Sequence, residues 1–386
     1  MIPYGKQNIT QADIDAVVNV LQSDWLTQGP CIPAFENAIA EHCQVEHAVA
    51  VNSATSALHI ACLALNVEKH DIVWTSPISF VASANCAIYC GANVDFVDID
   101  IDTANISVMA LKNKLMHAKV NNILPKALIV VHMAGLSCDM ESISLLVKEF
   151  GVFIIEDASH AIGAYYQQEP VGSCKYSDIT VFSFHPVKII TTAEGGVATT
   201  NSQVLKDKMS LLRSHGVVKA KELLLEQNQG DWYYEQQSLG FNYRMTEVQA
   251  ALGLSQLTRL ADFVKTRQQL AKKYQQAIAH LPLTWQQQSE GCYSSYHLFI
   301  VRLTESSSLS REQLFTKLKQ ANIGVNVHYI PIHTQPYYQK LGFQYGDFPQ
   351  AELYYQGCIS LPLYADLSDL DFKHIVSTLN KLLARS

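Results

Sequence analysis

The chain has 386 residues and a mass of 43.0 kDa, more than one hydrophobic core usually fills, so we expect two domains or one large α/β domain with an appendage. Hydrophobic residues make up 48% and charged residues 16%, a composition that excludes a disordered protein. Lys and Arg number 28 against 35 Asp and Glu, and the resulting net charge of −7 argues against a dedicated nucleic-acid-binding protein, which needs a basic face.

The first predicted element in chain order is a helix over residues 10–21. Thr10 suits its N-cap, and one face carries Ile14, Val17, Val18 and Leu21. No apolar segment follows a basic one at the start of the chain, so we expect no signal peptide. No apolar run approaches the roughly 20 residues that span a bilayer.

From residue 48 onward, short apolar runs alternate with amphipathic stretches. The apolar runs predict strands at 48–52, 71–75, 94–100, 127–133, 152–157 and 178–184. The amphipathic stretches predict helices at 54–65, 81–89, 107–118 and 139–149. This alternation predicts an α/β fold in which helices cover both faces of a parallel or mixed sheet.

The pattern changes near residue 250, where a long helix is predicted over 256–280. It is followed by a strand at 298–303, a helix at 310–321 and a strand at 324–329. These elements are typical of a smaller α+β domain. We therefore expect a large domain over residues 1–255 and a small C-terminal domain over residues 256–386.

The nine cysteines are scattered along the chain and form no CxxC pairs. Neither a disulfide framework nor a metal site is therefore predicted, and we expect a cytoplasmic protein with reduced thiols. The chain also lacks the GxGxxG, P-loop, HExxH and GxSxG motifs. Dinucleotide-binding, P-loop, zinc-protease and α/β-hydrolase functions are not indicated.

Two segments carry side chains that suit an anionic, heterocyclic ligand. Residues 52–58, NSATSAL, place small hydroxyl residues where a strand leads into a helix, and a helix N-terminus can bind a phosphate. The alternative is an ordinary helix cap. Residues 156–163, EDASHAIG, place Asp157 at the carboxyl end of a strand, where ligands of α/β sheets gather. Asp157 could pair with a cationic heterocycle, or it could cap a following helix.

The third segment, residues 181–200, holds a lone lysine among apolar residues. Burial disfavours the ammonium form of Lys188, which makes its amine a candidate nucleophile. A phosphate site, an acid for a ring nitrogen and such a lysine are together the parts that a protein supplies for pyridoxal 5′-phosphate (PLP) chemistry. We therefore predict PLP as the cofactor.

These motifs give the chain a strong resemblance to a known family. Residues 52–58, 75–85, 156–166, 182–196, 211–216 and 240–257, in this order, resemble the DegT/DnrJ/EryC1 family of PLP-dependent nucleotide-sugar aminotransferases. The resemblance extends from Tyr4 to residues 327–339 and so covers nearly the whole chain. Several motifs are most similar to the branch that aminates C4 of a UDP-linked 4-keto-6-deoxy-N-acetylhexosamine with L-glutamate as donor.

The resemblance implies a type I PLP-dependent transferase fold, aspartate aminotransferase-like, with a mostly parallel seven-stranded sheet in the large domain. It implies that Lys188 and Asp157 are catalytic, that Lys188 binds the cofactor covalently and moves the proton, and that Asp157 pairs with the pyridinium nitrogen. His160 is a departure, because many relatives carry Gln there. The cofactor-binding residues that the resemblance implies are Ala54, Thr55, Phe80, Asp157, His160, Ser183, Lys188 and Asn242.

The resemblance also implies a homodimer with active sites at the interface, in which Asn242 reaches the cofactor phosphate of the other subunit. Arg213 and His215 match a family motif for which we expect a structural role or a role at the entrance. Arg244 could bind a donor carboxylate or support the dimer. The implied substrate-binding residues are Tyr4, Asp24, Trp25, Leu26, Thr27, His328, Tyr329 and Ile330.

Several alternative functions stay open at this point. Another nucleotide-sugar 4- or 3-aminotransferase of the same family would share most of these motifs. A sugar dehydratase of the family carries His in place of the lysine and is disfavoured by Lys188. A non-catalytic, PLP-binding regulatory member would normally have lost Lys188, Asp157 or Ser183, and the chain retains all three.

Overall fold

The computed structural model describes residues 1–226 and 230–384. The α-helices are α1 (Gln11–Leu21), α2 (Cys31–Cys43), α3 (Ala54–Ala64), α4 (Ala82–Tyr89), α5 (Val108–Asn121), α6 (Met140–Lys148), α7 (Gln203–Arg213), α8 (Glu247–Leu257), α9 (Leu260–Ile278), α10 (Arg311–Gln320), α11 (Pro336–Gln339), α12 (Pro349–Gly357) and α13 (Asp369–Leu383). The strands are β1 (His47–Val51), β2 (Ile72–Thr75), β3 (Asn93–Phe96), β4 (Ala127–Val131), β5 (Phe153–Asp157), β6 (Tyr165–Tyr166), β7 (Glu169–Pro170), β8 (Ile179–Ser183), β9 (Gly196–Thr200), β10 (Val217–Val218), β11 (Glu235–Gln236), β12 (Leu283–Trp285), β13 (Cys292–Tyr293), β14 (Phe299–Leu303) and β15 (Cys358–Leu361).

A seven-stranded sheet in the order β1-β9-β8-β5-β4-β2-β3 forms the centre of the fold. Strands β8, β5, β4, β2 and β3 are parallel, and β9 runs antiparallel to both of its neighbours. The predicted α/β class and mostly parallel sheet are thereby confirmed. Because β1 and the parallel strands point the same way, their carboxyl ends meet at one edge of the sheet.

The central strands are buried on both faces of the sheet, which explains why their sequences are continuous apolar runs. Every residue of β4 is buried, as are the last four of β5 and the first four of β8. Helices α3 and α4 belong to the core cluster on one face, whereas α5 and α6 belong to another. The predicted helices and strands up to residue 200 are present, with ends that shift by a few residues, and the strand predicted at 94–100 ends at Phe96.

A separate hydrophobic core lies in the C-terminal part of the chain. It is built from buried residues between Leu270 and Leu383, and Ile2 from the N-terminus packs against it. The small three-stranded sheet β12-β14-β15 contributes one wall of this core. This arrangement supports the predicted small domain, whose boundary at residue 255 stays a prediction.

Of two further predictions for this region, one is confirmed with shifted ends and the other is wrong. The helix predicted over 256–280 is present as α9, which starts at Leu260 because the chain turns at Thr258 and Arg259 after α8 ends at Leu257. Residues 324–329 do not form a strand, and their single bridge is Asn326 to Ser360. The backbone N–H of Gly324 instead bonds to the carbonyl of Ile2 at 2.6 Å, and the segment beyond it turns toward the active site.

Helix α1 begins as predicted, but the apolar face that the sequence pattern suggested is not the face that it buries. Thr10 caps α1 in a reciprocal capping box with Asp13. Asp13 is buried and bonded by Ser255 and Arg259, whereas Ile14, Val18 and Leu21 are exposed in this chain. The apolar face therefore lacks a partner within the described part of the chain. Among these same residues, no helix is both long and apolar enough to cross a lipid bilayer.

Candidate active site

A cavity of about 450 Å³ opens at the edge where the carboxyl ends of the strands meet. Segments that follow β1, β2, β5 and β8 surround it, and residues 326–329 close one side. Its lining includes ten of the predicted site residues: Tyr4, Ala54, Thr55, Phe80, Asp157, His160, Ser183, Lys188, His328 and Tyr329.

The N-terminus of α3 forms one end of this cavity. Ser53 is its N-cap and accepts a hydrogen bond from the backbone N–H of Ser56 at 3.1 Å. Within the described residues, the backbone N–H groups of Ala54 and Thr55 have no acceptor and face the same space as the Ser183 hydroxyl. Residues 52–58 can therefore serve both as a helix cap and as an anion site, because the Ser53 side chain accepts from only one of the free backbone N–H groups at the start of α3.

Gly196 allows strand β9 to approach the start of α3 closely. A Cβ atom at this position would lie 2.6 Å from the backbone nitrogen of Ala54 and 2.6 Å from the carbonyl carbon of Ser53. The start of α3, with its free backbone donors, can hold this position against β9 only because residue 196 has no side chain.

We expect Gly196→Ala to weaken PLP binding at least about tenfold, because the added methyl group pushes against backbone that should contact the phosphate. Equilibrium dialysis of the cofactor measures the effect. Gly5→Ala is the matched control, since a Cβ there meets no atom within 4 Å. Equal PLP affinity in the two variants would contradict the phosphate assignment.

Asp157 lies at the end of β5 and points into the cavity. Its Oδ2 accepts a hydrogen bond from the Ser83 hydroxyl at 2.6 Å, and its Oδ1 accepts one from the backbone N–H of Ser159 at 3.1 Å. No helix follows it in residues 158–164, so the alternative that Asp157 caps a helix is wrong. Ser83 in turn bonds Ser79 at 2.6 Å, which fixes the carboxylate in place.

Lys188 faces Asp157 across the cavity. Burial lowers the pKa of the Lys188 amine to about 8, and the charge of Asp157 opposes this shift only partly. Within the described residues, the amine has neither an ion pair nor a hydrogen bond. A lysine with an ordinary pKa near 10.4 is almost fully protonated at neutral pH, whereas here roughly a tenth of the amine is a free nucleophile.

We expect the labelling rate of Lys188 by acetic anhydride in cofactor-free protein to rise about tenfold per pH unit below pH 8 and to level off above it. The sign follows from the lowered pKa, because only the deprotonated amine reacts, and about half of it is deprotonated at pH 8 and nearly all of it above about pH 9. Mass spectrometry of the labelled peptide measures the rate. In the unfolded protein the rate should keep rising to about pH 10, and the same profile in folded protein would contradict the prediction.

Aromatic and imidazole rings line the opposite wall. Phe80 is 59% exposed although it follows a run of buried residues, and it borders the cavity. His160 bonds the Tyr329 hydroxyl through Nε2 at 3.1 Å and packs on His297 with ring centroids 4.5 Å apart. Burial and the nearby Lys188 hold the pKa of His160 well below its usual value, so this ring is neutral.

The remaining predicted residues do not line the cavity of this chain. Asn242 is exposed, and its backbone carbonyl lies 3.4 Å from the side-chain nitrogen of Asn52. Residues 24–27 and Ile330 are mostly exposed and lie outside the lining. Arg213 pairs with Glu36 and donates to the Ala50 carbonyl at 2.7 Å, which fits the expected structural role.

The cavity also contains residues that the sequence analysis missed. The most polar of these are Ser79, Ser159, His185, Glu194 and Asn326. His185 and Glu194 belong to the motif around Lys188 and could have been found from it. Ser79 likewise belongs to the 75–85 motif, whereas Asn326 carries no signal of its own, since only the folded chain brings it to the cavity.

This set of residues fits PLP. The α3 N-terminus and Ser183 would hold the phosphate, Asp157 would meet the ring nitrogen, Phe80 would cover one ring face and Lys188 would hold the carbonyl carbon. PLP supplies an electron sink through which an amino group replaces a keto oxygen. The fold and this site define a PLP-dependent aminotransferase.

The chain belongs to the DegT/DnrJ/EryC1/StrS aminotransferase family, whose model matches residues 7–380. A relative from Campylobacter jejuni, UDP-4-amino-4,6-dideoxy-N-acetyl-beta-L-altrosamine transaminase, is 39% identical and covers 100% of this chain and 98% of its own. The spore coat polysaccharide biosynthesis protein SpsC of Bacillus subtilis is also 39% identical, over 99% of this chain and 97% of its own.

Solved structures agree with this assignment. Helicobacter pylori PseC, an aminotransferase involved in the biosynthesis of pseudoaminic acid, superposes with a TM-score of 0.89 at 34% identity and covers 99% of this chain and 98% of its own. A streptococcal protein of 30% identity is known in both PLP and pyridoxamine phosphate forms. The cofactor predicted from the sequence is thereby confirmed.

Proposed function

We propose that this enzyme transfers the amino group of L-glutamate to C4 of a UDP-linked 4-keto-6-deoxy-N-acetylhexosamine and so forms UDP-4-amino-4,6-dideoxy-N-acetyl-β-L-altrosamine for pseudaminic acid biosynthesis. The observation that carries the proposal is the cavity in which the Lys188 amine, the Asp157 carboxylate and the free α3 donors meet. The similarity to the C. jejuni transaminase and to PseC supports the choice of sugar.

Within this function, Lys188 performs two tasks. Its free amine binds the cofactor, and once released it removes the proton from Cα of the amino donor. With the sugar bound, it delivers a proton to C4. A positioned general base contributes about 10²–10⁴-fold to such a step, and the lowered pKa of Lys188 suits proton transfer near neutral pH.

Asp157 and His160 support this chemistry from either side. Asp157, held by Ser83 and the Ser159 amide, keeps a proton on the ring nitrogen of the cofactor through a charge-assisted hydrogen bond. His160 is neutral and tied to Tyr329, so it adds no positive charge near the Lys188 amine. Tyr4, His328 and Tyr329 line the side of the cavity that would hold the sugar.

The test is turnover with a panel of UDP- and dTDP-linked 4-keto-6-deoxy sugars, with L-glutamate as donor and NMR of the product at C4. The proposal requires the UDP-linked N-acetylated sugar to give the highest kcat/KM and a 4-amino product of altro configuration. Preference for another 4-keto or 3-keto sugar would place the enzyme in a different branch of the family. Absence of any absorbance response to glutamate would instead support a non-catalytic role.

We also infer that the enzyme acts as a homodimer in the cytoplasm. Its free thiols are suited to a reducing compartment. Exposed apolar residues lie close to Asn242 in the chain or in the fold, among them Leu239, and Trp25 and Leu26 beside α8. Exposed apolar side chains mark protein interfaces where they form a patch, and α1, whose apolar face is exposed, packs against the same helix α8.

The proposed dimer places Asn242 at the cofactor phosphate of the partner subunit. Its amide would donate to a charged acceptor, a bond worth about 1.5–3 kcal/mol. We therefore expect Asn242→Ala to weaken PLP binding roughly 10- to 100-fold, as measured by equilibrium dialysis.

A complementation experiment then tests whether the two subunits share each active site. Inactive Lys188→Ala chains are mixed with inactive Asn242→Asp chains, whose carboxylate repels the phosphate.

Mixed dimers should recover part of the activity, because one of their two sites carries both lesions and the other carries none. Subunit exchange is verified by native mass spectrometry, and each variant mixed with itself is the control. If verified mixed dimers stay inactive, Asn242 serves the cofactor of its own chain.

A further inference from the structure

A second cavity, of about 490 Å³, lies between α9 and the end of β12. One wall is the face of α9 that carries Gln268, Lys272 and Gln275, whose spacing of four and three residues places them side by side. The other wall is formed by Trp285, the last residue of β12, and by residues 286–288 that follow it. Its described lining shares no residue with the active-site cavity, so the aminotransferase reaction gives this cavity no role.

Six of the residues that line this cavity are glutamines. The side-chain nitrogen of Gln286 donates to the carbonyls of Thr103 at 2.6 Å and Met133 at 2.9 Å. Gln268 donates in the same way to the carbonyl of Ser294. Within the described part of the chain, no group donates to the side-chain oxygens of the lining glutamines. The wall therefore presents a set of anchored amides whose hydrogen-bond acceptors are unused.

Tyr296 adds a hydrogen-bond donor to these acceptors. The residue is only 7% exposed, and its hydroxyl oxygen accepts from the side-chain nitrogens of Gln275, at 3.2 Å, and Gln288. An oxygen that accepts two bonds leaves its own proton free to donate, and the described residues offer that proton no acceptor. Because an unpaired buried O–H is costly, the missing acceptor must be supplied by whatever occupies the cavity.

The backbone of Tyr296 is held in a conformation that a bulky residue rarely adopts. Its φ angle of +46° lies in the left-handed region. The buried Arg267 donates to the carbonyls of Tyr296 at 3.2 Å and His297 at 3.0 Å. The Ser294 hydroxyl accepts from the backbone N–H of Tyr296 at 3.1 Å. Strained backbone of this kind clusters at functional sites, and here it belongs to the residue whose hydroxyl meets the two glutamines.

Trp285 and Lys272 narrow the chemistry of the ligand. Trp285 is half-buried, because it packs against the core of the C-terminal part of the chain and also lines the cavity. Lys272 is the one charged residue of the described lining, which holds no carboxylate. A cationic ligand would meet no opposite charge there, and an apolar ligand would leave the amide oxygens without donors. The lining therefore favours a ligand that is uncharged and rich in hydroxyl groups.

We propose that this cavity binds a neutral saccharide of one or two pyranose rings. Sugar hydroxyls would donate to the glutamine oxygens and accept the free proton of Tyr296, and the C–H face of a ring would pack on Trp285. The cavity is as large as many small-molecule sites, which span roughly 300–1,000 Å³. This saccharide site is separate from the active site, and it does not rest on the amino transfer proposed above.

The experiment labels the PLP-loaded enzyme with 5-fluorotryptophan and titrates it with N,N′-diacetylchitobiose and, separately, with maltose. The chain has four tryptophans, and Trp285→Phe assigns the fluorine NMR signal of Trp285. We expect at least one of the two disaccharides to shift this signal saturably, with a Kd of about 1 mM or lower, and to leave the other three signals unchanged. Saturating UDP should not reverse the shift, because the nucleotide is expected to occupy the active-site cavity.

Two variants test the residues that carry the proposal. Gln288→Ala and Tyr296→Phe should each weaken the binding about three- to tenfold, as expected for the loss of one hydrogen bond. Gln276→Ala is the matched control, because Gln276 is an exposed glutamine of α9 outside the described lining of the cavity. Its affinity for the disaccharide should equal that of the native enzyme.

Three results would overturn the proposal. They are no saturable shift of the Trp285 signal with either disaccharide, a shift that UDP reverses, or equal affinities in Gln288→Ala, Tyr296→Phe and Gln276→Ala. The titration of the labelled enzyme without these substitutions decides the question even if a variant fails to fold.

Discussion

Replacing Lys188 with alanine should lower turnover by at least about 10⁴-fold while the protein stays folded and dimeric. The variant loses the general base, worth about 10²–10⁴-fold by itself, and also the amine that binds the cofactor covalently. Steady-state assays of amino transfer measure the loss. Borohydride reduction followed by peptide mapping provides a second reading, since it should attach the cofactor to Lys188 in the native protein and to no residue in the variant.

Lys112→Ala is the matched control, because Lys112 is an exposed lysine on α5, far from the cavity lining. It should retain normal turnover. Circular dichroism and sedimentation confirm that both variants are folded. Near-normal turnover by Lys188→Ala would refute the proposed mechanism.

Replacing Asp157 with asparagine should lower kcat at least about 100-fold. Asparagine keeps the shape of the side chain and can still accept from Ser83 or from the Ser159 amide, but it cannot hold a proton on the ring nitrogen by charge. A hydrogen bond to a charged group contributes about 1.5–3 kcal/mol, and the electron-accepting power of the ring falls as well. Stopped-flow absorbance after addition of glutamate measures the half-reaction directly.

Ser83→Ala separates charge from positioning, since it removes the 2.6 Å bond to Asp157 and leaves the carboxylate in place. We expect a loss of only about tenfold, in keeping with one hydrogen bond of about 1.5 kcal/mol. Equal losses in the two variants would show that Asp157 acts through its position and not through its charge.

Local patterns along the chain were enough to predict most of the fold. The alternation of apolar strands and amphipathic helices defines the sheet, because a strand buried on both faces must be apolar throughout. Thr10 and Ser53 indicate where helices start, because their side chains suit the N-cap position. The prediction of a strand at 324–329 was wrong, because its alternating pattern suits a strand but its neighbours leave it only one bridge, Asn326 to Ser360.

The sequence alone determined the chemistry of the site. Lys188 is a lone lysine that follows an apolar strand, Asp157 ends another such strand, and residues 52–58 open a helix with small hydroxyl residues. Each of these signals lies within one short segment, and the rule that ligands gather at the carboxyl ends of parallel strands joins them. Residues 52–58, Asp157 and Lys188 could therefore be grouped before the structure was known.

Only the tertiary structure decided which distant segments meet. It buries Asp13 and leaves Ile14 exposed on the same helix, it brings Ser83 to Asp157, and it brings Tyr329 to His160. Such contacts depend on how elements pack against one another, and the free energy of packing is shared among many residues with no local pattern. A sequence pattern indicates on which face of its own helix or strand a residue lies. The residues that it contacts in other elements depend on how all the elements pack together.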